Sequence, residues 1–387
     1  ISPAANAVNS FYEIMTDTAQ LRILRNFIDH IGGVDIIHFN SFEGLSFNVL
    51  KIKKYYPDIK IVHSVHDYGS MCPRVRFWNY RQENCLKSKM RDKCVGCLKG
   101  CKYGLTEDNI LARIISLSGI EVPYDDISKD IRPVRIIKRI ISRMLFSMMY
   151  SNNRYKEHNV SMINKFTDLE IGVSRRVADI LVENGVNKNK VIVDYIGTYI
   201  AENSLCKCRT KSDTELFTIL YMGYANEDKG FYSFLSALQS IKRNVSDKIV
   251  VKIASKMSYK ARTKIDQIKD LYNNLVVYNG YSHDDFSEIM RDVNLGIVPP
   301  LWEDNFPQVA IEMVANGIPV ITSMNGGAHE LNDNNNFRFE SSSELTEKIE
   351  NIFHHRNLLD EYWNTTMKLT TFKMHVANLL SIYKSLQ

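Results

Sequence analysis

Long hydrophobic runs are missing from this 387-residue sequence, which contains no stretch of about 18 uninterrupted apolar residues. We therefore expect no membrane-spanning helix. The sequence also lacks an initiator Met, and its first residues lack the charged, apolar and small-residue order of a secretory signal peptide. We accordingly expect a processed, trimmed or partial chain that works in the cytoplasm.

A strong excess of one charge is also missing. Lys and Arg total 49 against 44 Asp and Glu, so the net charge is +5, and 44% of the residues are hydrophobic. This balance is typical of a soluble globular protein, and the length suffices for two domains of ordinary size. A mild positive excess gives no reason to expect a nucleic-acid partner.

Short apolar runs alternate with helical patterns along most of the chain. Such alternation predicts an α/β fold, because a strand–helix–strand connection joins parallel strands. The predicted strands cover residues 35–39, 59–65, 191–193, 217–222, 249–254, 275–278, 295–298 and 319–322, and helices are predicted at 44–56, 343–353 and 372–386. His63 lies inside a predicted strand, where we expect a hydrogen-bonded core residue.

The polar, aperiodic residues 202–213 are interpreted as a linker between two domains. The first domain would cover residues 1–205 and the second residues 214–370. A C-terminal helix in residues 371–387 would then cross back to the first domain.

Residues 301–331 (LWEDNFPQVAIEMVANGIPVITSMNGGAHEL) form the most informative stretch. They predict a loop, a helix, a buried strand and a Gly-rich loop at residues 325–327. That loop follows the carboxyl end of its strand, where open α/β sheets bind ligands. Two acids, Asp304 and Glu312, flank the start of the helix. Each of them alone could simply complement the helix dipole or cap the first N–H groups.

The acids and the motifs after them carry a resemblance to a known family. An acid, seven residues, a second acid, A-x-G-x-P-V-I and G-G-x-x-E resemble the E-x7-E donor site of family-4 retaining glycosyltransferases of the GT-B fold. The resemblance implies that Asp304 lies near the transferred sugar and that Glu312 holds the ribose hydroxyls of the nucleotide. The first acid is Asp where the family has Glu, so its carboxylate is one methylene shorter. Glu303 is the alternative, although it leaves eight residues between the acids.

Two further motifs extend the resemblance. Residues 223–230 (GYANEDKG) are similar to G-R-x-x-x-x-K-G, whose basic pair holds the donor diphosphate, but Tyr224 replaces the usual Arg. His66 stands in a V-H-D sequence that faces the sugar and acceptor in the family. The resemblance thus implies three catalytic residues, His66, Asp304 and Lys229. The implied donor-binding residues are Gly223, Lys229, Asn305, Phe306, Glu312, Gly326 and Gly327.

The resemblance implies a retaining glycosyltransferase with two Rossmann-like domains facing a central cleft. It would move a sugar from a UDP- or GDP-sugar to a saccharide or lipid-linked saccharide in surface polysaccharide synthesis. No Asp-x-Asp metal motif stands at a donor site, so we expect no catalytic metal. Residues 1–11 hold neither an apolar strand nor a glycine, so the first domain is expected to lack its opening strand. Two alternatives stay open: a nucleotide-sugar epimerase on the same fold and a non-catalytic nucleotide-sugar-binding subunit.

Five of the seven cysteines lie between residues 72 and 101. Cys94 and Cys97 have the spacing of half a tetrahedral zinc site, which Cys72 and Cys85 could complete. The residues around them are polar and irregular, so a structural metal would stabilise their conformation. Cys101 is left over, and disulfides or reduced, unligated cysteines are the alternatives. Bacterial members of the resembled family carry a similar insertion, and we predict a structural zinc without a catalytic role.

The segment 132–149 (RPVRIIKRIISRMLFSMM) predicts a strongly asymmetric helix. Basic residues gather on one side and aliphatic residues on the other at about 100° per residue. Such a helix either packs its apolar face on the domain or lies against anionic lipid headgroups. The second interpretation places the protein at the inner face of the plasma membrane without a spanning segment.

Vesicle flotation distinguishes the two interpretations of this helix. If it binds lipid, the protein should float with anionic but not neutral vesicles, because each basic side chain near an anionic surface contributes about 1 kcal/mol. Salt should weaken the binding, and replacement of Arg135, Lys138 and Arg139 by Gln should reduce it. Equal flotation of the wild type and the triple variant would refute a membrane role.

Overall fold

The computed structural model describes residues 19–42, 45–72, 74–79, 81–86, 154–203 and 215–387. The described chain divides into two compact units. The first unit comprises Ile1–Ile171 and Ile180–Ile192, and the second comprises Gly172–Asp179 and Val193–Gln387. The predicted domain boundaries and the crossing of the last helix stay predictions.

Four sequence interpretations fall on residues outside the described ranges. They concern residues 1–11, Cys94 with Cys97, the helix at 132–149, and most of the linker. None of the helices in the described ranges is long and apolar enough to cross a membrane.

The first sheet has four strands in the order β1-β2-β3-β4. They are β1 (Ile36–Phe39), β2 (Lys60–Val65), β3 (Leu169–Gly172) and β4 (Val191–Val193). β1 and β2 run parallel, with Ile37 opposite Ile61. The strands predicted in this part of the chain are confirmed. The helices beside them are α1 (Ala19–His30), α2 (Arg154–Phe166) and α3 (Arg175–Glu183). The helix predicted at 44–56 is a 3-10 helix at Phe47–Lys54, and a second short one spans Lys188–Lys190.

His63 is the hydrogen-bonded core residue that its strand position predicts. Its Nδ1 lies 2.7 Å from Oε2 of Glu170 on the neighbouring strand, and both side chains are buried. The ring of Phe42 packs edge-on against the imidazole, with 4.6 Å between the ring centroids. His63 is therefore a core residue that ties β2 to β3.

The second sheet has six parallel strands in the order β10-β9-β8-β5-β6-β7. They are β5 (Phe217–Met222), β6 (Ile249–Ser255), β7 (Asn274–Asn279), β8 (Leu295–Val298), β9 (Val320–Ser323) and β10 (Arg338–Phe339). The predicted strands from 217 to 322 are confirmed to within one or two residues at their ends. The central strand β5 is buried along its whole length, which explains its continuous apolar sequence.

The order of this sheet reverses between β5 and β8. From β5 the chain proceeds to β6 and β7 on one side, and from β8 it proceeds to β9 and β10 on the other. Tyr221 of β5 lies opposite Ile297 of β8, so the two strands end at the same edge. Such a reversal leaves a crevice at the carboxyl ends of the strands, where open α/β sheets bind ligands.

Helices and short 3-10 segments complete the second unit. The helices are α4 (Phe231–Gln239), α5 (Arg243–Ser246), α6 (Tyr259–Asp266), α7 (Phe286–Ile289), α8 (Gln308–Ala315), α9 (Ser342–His354), α10 (Leu358–Glu361) and α11 (Phe372–Leu386). The 3-10 segments are Ile200–Asn203, Lys269–Leu271, His283–Asp285, Ala328–Leu331, Asn335–Phe337 and Tyr362–Asn364. The helices predicted at 343–353 and 372–386 are confirmed.

Gly230 lies where the loop after β5 packs against the loop after β8. Its φ is +72°, and a Cβ added there would lie 1.6 Å from the carbonyl oxygen of Pro299. Gly280 has a similar φ of +87° but nothing within 4 Å of an added Cβ. Substitution at Gly280 would therefore introduce backbone strain alone, whereas substitution at Gly230 would introduce both strain and a steric clash.

We expect Gly230→Ala to destabilise the protein far more than Gly280→Ala. The strain of a left-handed residue costs roughly 1–2 kcal/mol at either position, and the backbone clash adds to it at Gly230 alone. Thermal unfolding of the two variants measures the difference. Equal losses of Tm would show that the two loops do not pack as closely as described.

Candidate active site

Lys229 and Asp304 come together at the reversal of the second sheet. Lys229 lies in the loop after β5, and Asp304 lies in the loop after β8. The Lys229 ammonium donates to Oδ2 of Asp304 at 2.6 Å, with 29% and 10% of the respective side chains exposed. The structure thus joins two of the predicted catalytic residues in one ion pair, of which the Lys229 side is partly exposed.

Backbone hydrogen bonds hold the two loops in this position. The N–H groups of Leu301 and Trp302 donate to the carbonyl oxygen of Asp228 at 2.8 and 3.3 Å. The Lys229 ammonium also lies 4.9 Å from the centre of the Trp302 ring, a distance suited to a cation–π interaction. Lys229 is therefore directed towards Asp304 by its own loop and by the indole.

Glu303, the alternative to Asp304, has a different environment. It is only 1% exposed, and its Oε2 accepts hydrogen bonds from Arg176 Nε and from the backbone N–H of Gly326, both at 3.0 Å. A carboxylate bound in this way holds the loop together. Asp304 is instead paired with the partly exposed ammonium of Lys229, and the choice between the two acids stays a prediction.

The Gly-rich loop after β9 packs directly on the backbone of residues 304–305. Gly326 has a φ of +76°, and a Cβ added to it would lie 1.9 Å from the carbonyl oxygen of Asp304. The N–H of Gly327 donates to that same oxygen at 2.7 Å, and a Cβ there would lie 2.2 Å from the carbonyl oxygen of Asn305. Only glycine permits this approach.

Asn305 and Phe306 follow Asp304 in the same loop, and both are buried. The Asn305 carbonyl oxygen accepts from Ser174 Oγ at 2.8 Å. The Phe306 ring is buried, with its centroid 5.3 Å from that of Tyr195. The Tyr195 hydroxyl donates to Oε2 of Glu330 at 2.7 Å, and burial together with this carboxylate raises the pKa of Tyr195. Tyr195 is thus a protonated hydrogen-bond donor at neutral pH.

Glu330, the last residue of G-G-x-x-E, caps helix α3. Its two carboxylate oxygens accept from the N–H groups of Arg175 at 3.0 Å and Arg176 at 2.7 Å. The sequence did not predict these partners, nor those of Ser174 and Tyr195. The Ser-Arg-Arg sequence at residues 174–176, between β3 and α3, was a signal, because Ser before a helix is a common N-cap.

Helix α8 begins beside this loop without a side-chain cap. Pro307 occupies its N-cap position and offers no side-chain hydrogen bond, so the first N–H groups of α8 lack that partner. Glu312 lies buried one turn further along the helix. Burial raises the pKa of Tyr281, and the nearby Glu312 carboxylate raises it further. Glu312 and Tyr281 therefore lie near each other.

Gly223 and Tyr224 open the loop after β5. Gly223 has a φ of +134° with nothing within 4 Å of an added Cβ, so its backbone is open to the outside. Tyr224, which replaces the usual Arg, is 67% exposed. The exposed tyrosine supplies no positive charge, so Lys229 is the cation of this motif.

His66 follows β2 in the first unit, as predicted, and its side chain is exposed. The Asp67 carboxylate fixes the turn, because it accepts from the Gly69 N–H at 2.7 Å and from Ser41 Oγ at 2.9 Å. The catalytic role of His66 stays a prediction. In the cysteine-rich segment Cys72 is buried and Cys85 is half-buried, and the zinc site stays a prediction as well.

Comparison with known proteins points to glycosyltransferases. Residues 207–368 match the family model described as Glycosyl transferases group 1. A lipopolysaccharide 1,2-N-acetylglucosaminetransferase of Salmonella typhimurium is 29% identical over 121 residues, which are 29% of this chain and 32% of that protein. The match thus spans about a third of the length of this curated relative.

Solved structures with 14% identity resemble nearly the whole chain. The Anabaena protein HepE in complex with UDP has a TM-score of 0.59 and covers 94% of this chain and 82% of its own. A sucrose-phosphate synthase of Thermosynechococcus elongatus has a TM-score of 0.55 and covers 95% of this chain and 77% of its own. The fold is GT-B. The predicted α/β class with two parallel sheets is confirmed.

The different environments of Asp304 and Glu303 lead to a test with matched amide variants. We expect Asp304→Asn to lower turnover by about a hundredfold with little change in donor affinity, as for a charge that acts at the reacting centre. Glu303→Gln should instead lower Tm, because it weakens the bond to Arg176, and should retain more of the turnover.

Steady-state kinetics with a nucleotide-sugar donor and thermal unfolding of both variants provide the measurements. A Glu303→Gln variant that is stable but inactive, beside an active Asp304→Asn variant, would transfer the role at the sugar to Glu303.

Proposed function

We propose that this protein is a retaining glycosyltransferase that moves a sugar from a nucleotide-diphosphate sugar to a saccharide or lipid-linked saccharide. The observation that carries the proposal is the Lys229–Asp304 ion pair at the reversal of the second sheet. It lies within the residues that match the glycosyltransferase family model. A fold alone does not specify a reaction, so the proposal depends on these side chains.

The site residues have the chemistry that the reaction needs. The bond between the sugar C1 and the phosphate oxygen breaks, and its electron pair leaves with the nucleotide diphosphate. Lys229 and the uncapped N–H groups of α8 would stabilise the charge on that leaving group. The acceptor oxygen bonds to C1 from the same face, and its proton passes to the leaving phosphate. Asp304 would stabilise the positive charge that develops on the sugar.

Glu312 would hold the ribose hydroxyls of the donor. It is a buried acid on the first turns of α8, close to the ion-pair loop in sequence. Its carboxylate has two acceptor oxygens, which could accept hydrogen bonds from two ribose hydroxyls in the bound state. Gly223, with its open backbone, and the 326–327 glycines would line the approach to the diphosphate.

The comparisons support the proposed substrates. HepE structures contain UDP and UDP-glucose, and the Salmonella relative is a lipopolysaccharide N-acetylglucosaminetransferase. By analogy we propose a UDP-sugar donor, with a GDP-sugar as the alternative, and an acceptor in surface polysaccharide synthesis. A lipid-linked acceptor would fit a cytoplasmic protein that binds the membrane surface through residues 132–149.

Acceptor dependence of the reaction separates the proposal from its rivals. Purified protein is screened by thermal shift against UDP-glucose, UDP-galactose, UDP-N-acetylglucosamine and GDP-mannose, because a ligand of the folded state raises Tm. A transferase then releases nucleotide diphosphate fastest with an acceptor present. An epimerase would interconvert the sugar without acceptor, and a binding subunit would raise Tm without any turnover.

We expect Glu312→Ala to abolish the donor-induced rise in Tm while the protein stays folded. If Glu312 served only the helix dipole, its removal would cost about 1 kcal/mol of stability and leave binding intact. Glu347→Ala is the matched control, since Glu347 is an exposed helical acid of the same unit. Normal donor binding by the Glu312→Ala variant would contradict the ribose assignment.

A further inference from the structure

The Glu330 carboxylate accepts hydrogen bonds from two separate segments of the second unit. The donors are the N–H groups of Arg175 at 3.0 Å and Arg176 at 2.7 Å, and the Tyr195 hydroxyl at 2.7 Å. The N–H of Glu330 itself donates to the carbonyl oxygen of Gly327 at 3.0 Å. Because an ionised carboxylate only accepts hydrogen bonds, it suits a position that meets three donors. Glu330 thus joins the start of α3 and Tyr195 to the Gly-rich loop.

The first connection from Glu330 to the loop of Asp304 runs through Arg176. Glu330 fixes the Arg176 backbone, and the Arg176 Nε donates to Oε2 of Glu303 at 3.0 Å. The same oxygen accepts the N–H of Gly326, also at 3.0 Å. Glu303 is only 1% exposed, and separating a buried charge from its partner is strongly destabilising. The position of Arg176 therefore determines where Glu303, the residue before Asp304, can lie.

The second connection runs through Tyr195 to the other side of Asp304. Glu330 holds the Tyr195 hydroxyl, and the centroid of the Tyr195 ring lies 5.3 Å from that of Phe306. Phe306 is buried, and aromatic rings at this separation attract each other. The two connections end at residues 303 and 306, so they hold the loop on both sides of Asp304.

Glu330 acts on the ion pair only indirectly. The Asp304 carboxylate accepts from the Lys229 ammonium at 2.6 Å, whereas the printed donors to the Glu330 carboxylate belong to other residues of the described chain. An effect of Glu330 on turnover would therefore arise from the placement of the loop. Placement is important, because a displacement of about 1 Å at a reacting group can lower a rate about a hundredfold.

We propose that Glu330 is a positioning residue for glycosyl transfer: its carboxylate fixes both sides of the loop 303–306 and so holds the Asp304 carboxylate in place. This inference rests on the proposed function and deepens it. It assigns to the last residue of G-G-x-x-E an effect on turnover that needs no contact with the donor.

Glu330→Gln tests the proposal with almost no change in side-chain size. The amide NH2 group would face a donor where the wild type offers an acceptor. Turnover should fall by about tenfold or more, whereas the Kd of the sugar nucleotide should rise no more than about threefold, because the lost interaction acts at the transition state. Release of UDP or GDP from UDP-glucose, UDP-galactose, UDP-N-acetylglucosamine and GDP-mannose measures turnover, with lipopolysaccharide or water as the acceptor. Calorimetric titration of the same sugar nucleotides measures Kd.

A double-variant cycle distinguishes positioning from general stabilisation. If Glu330 acts through Asp304, Glu330→Gln should lower the turnover of the Asp304→Asn variant less than about twofold, because the group that it positions is already lost. An independent structural effect would instead multiply the two losses. Tyr195→Phe is a milder variant, which keeps the ring beside Phe306 and removes one hydrogen bond to Glu330. It carries the same test if Glu330→Gln does not fold, with a smaller loss of turnover.

Glu350→Gln is the matched control. Glu350 lies on α9 in the same unit, and its carboxylate also accepts a backbone N–H, that of Lys242 at 2.8 Å. Its side chain is 14% exposed. The Glu330→Gln and Glu350→Gln variants should both lose Tm, but only Glu330→Gln should lose turnover.

The outcomes separate this inference from the proposed function. Full turnover in Glu330→Gln would overturn the inference, and so would losses that multiply in the double variant or an equal loss in Glu350→Gln. Wild-type turnover in Asp304→Asn would overturn it too, because Asp304 would then need no positioning. In each case release of UDP or GDP by the wild type would leave the glycosyltransferase proposal standing. Absence of that release would overturn the proposed function itself, and the inference with it.

Discussion

Direct contact of backbone with backbone is the constraint on which the candidate site depends. At Gly326 and Gly327 the loop after β9 lies against residues 304–305, closer than any side chain would permit. This contact fixes the path of the loop that carries Asp304. Because the loops after β5 and β8 also start from neighbouring parallel strands, Lys229 reaches Asp304 without a long flexible connection.

The sheet of the second unit could be predicted because the apolar composition of its strands identifies them in the sequence. Strands such as β5 are buried on both faces and are therefore continuous apolar runs. The segment at 44–56 shows the limit of this reasoning. Its apolar spacing fits an α-helix and a 3-10 helix nearly equally, and the shorter 3-10 helix formed instead. Apolar spacing thus shows that a segment is helical more reliably than it shows whether an α-helix or a 3-10 helix forms.

The candidate site was only partly predictable from the sequence. Family resemblance pointed to Asp304, Lys229 and Glu312, but no sequence pattern reveals which partner each buried carboxylate binds. Glu303 and Asp304 are adjacent and chemically alike, yet one is bound by Arg176 and a backbone N–H while the other faces an ammonium. Their difference arises from residues 23 to 127 positions away, and such contacts exist only in the folded chain.

The two ion pairs of the 303–304 loop also determine its net charge. Each acid is matched by one cation, so Glu303, Arg176, Asp304 and Lys229 sum to zero. These four side chains exert little long-range attraction on an anion, because opposite charges close together cancel at a distance. If a diphosphate binds here as proposed, these two pairs would add little to the dependence of its association rate on ionic strength, unlike a cluster of unpaired lysines.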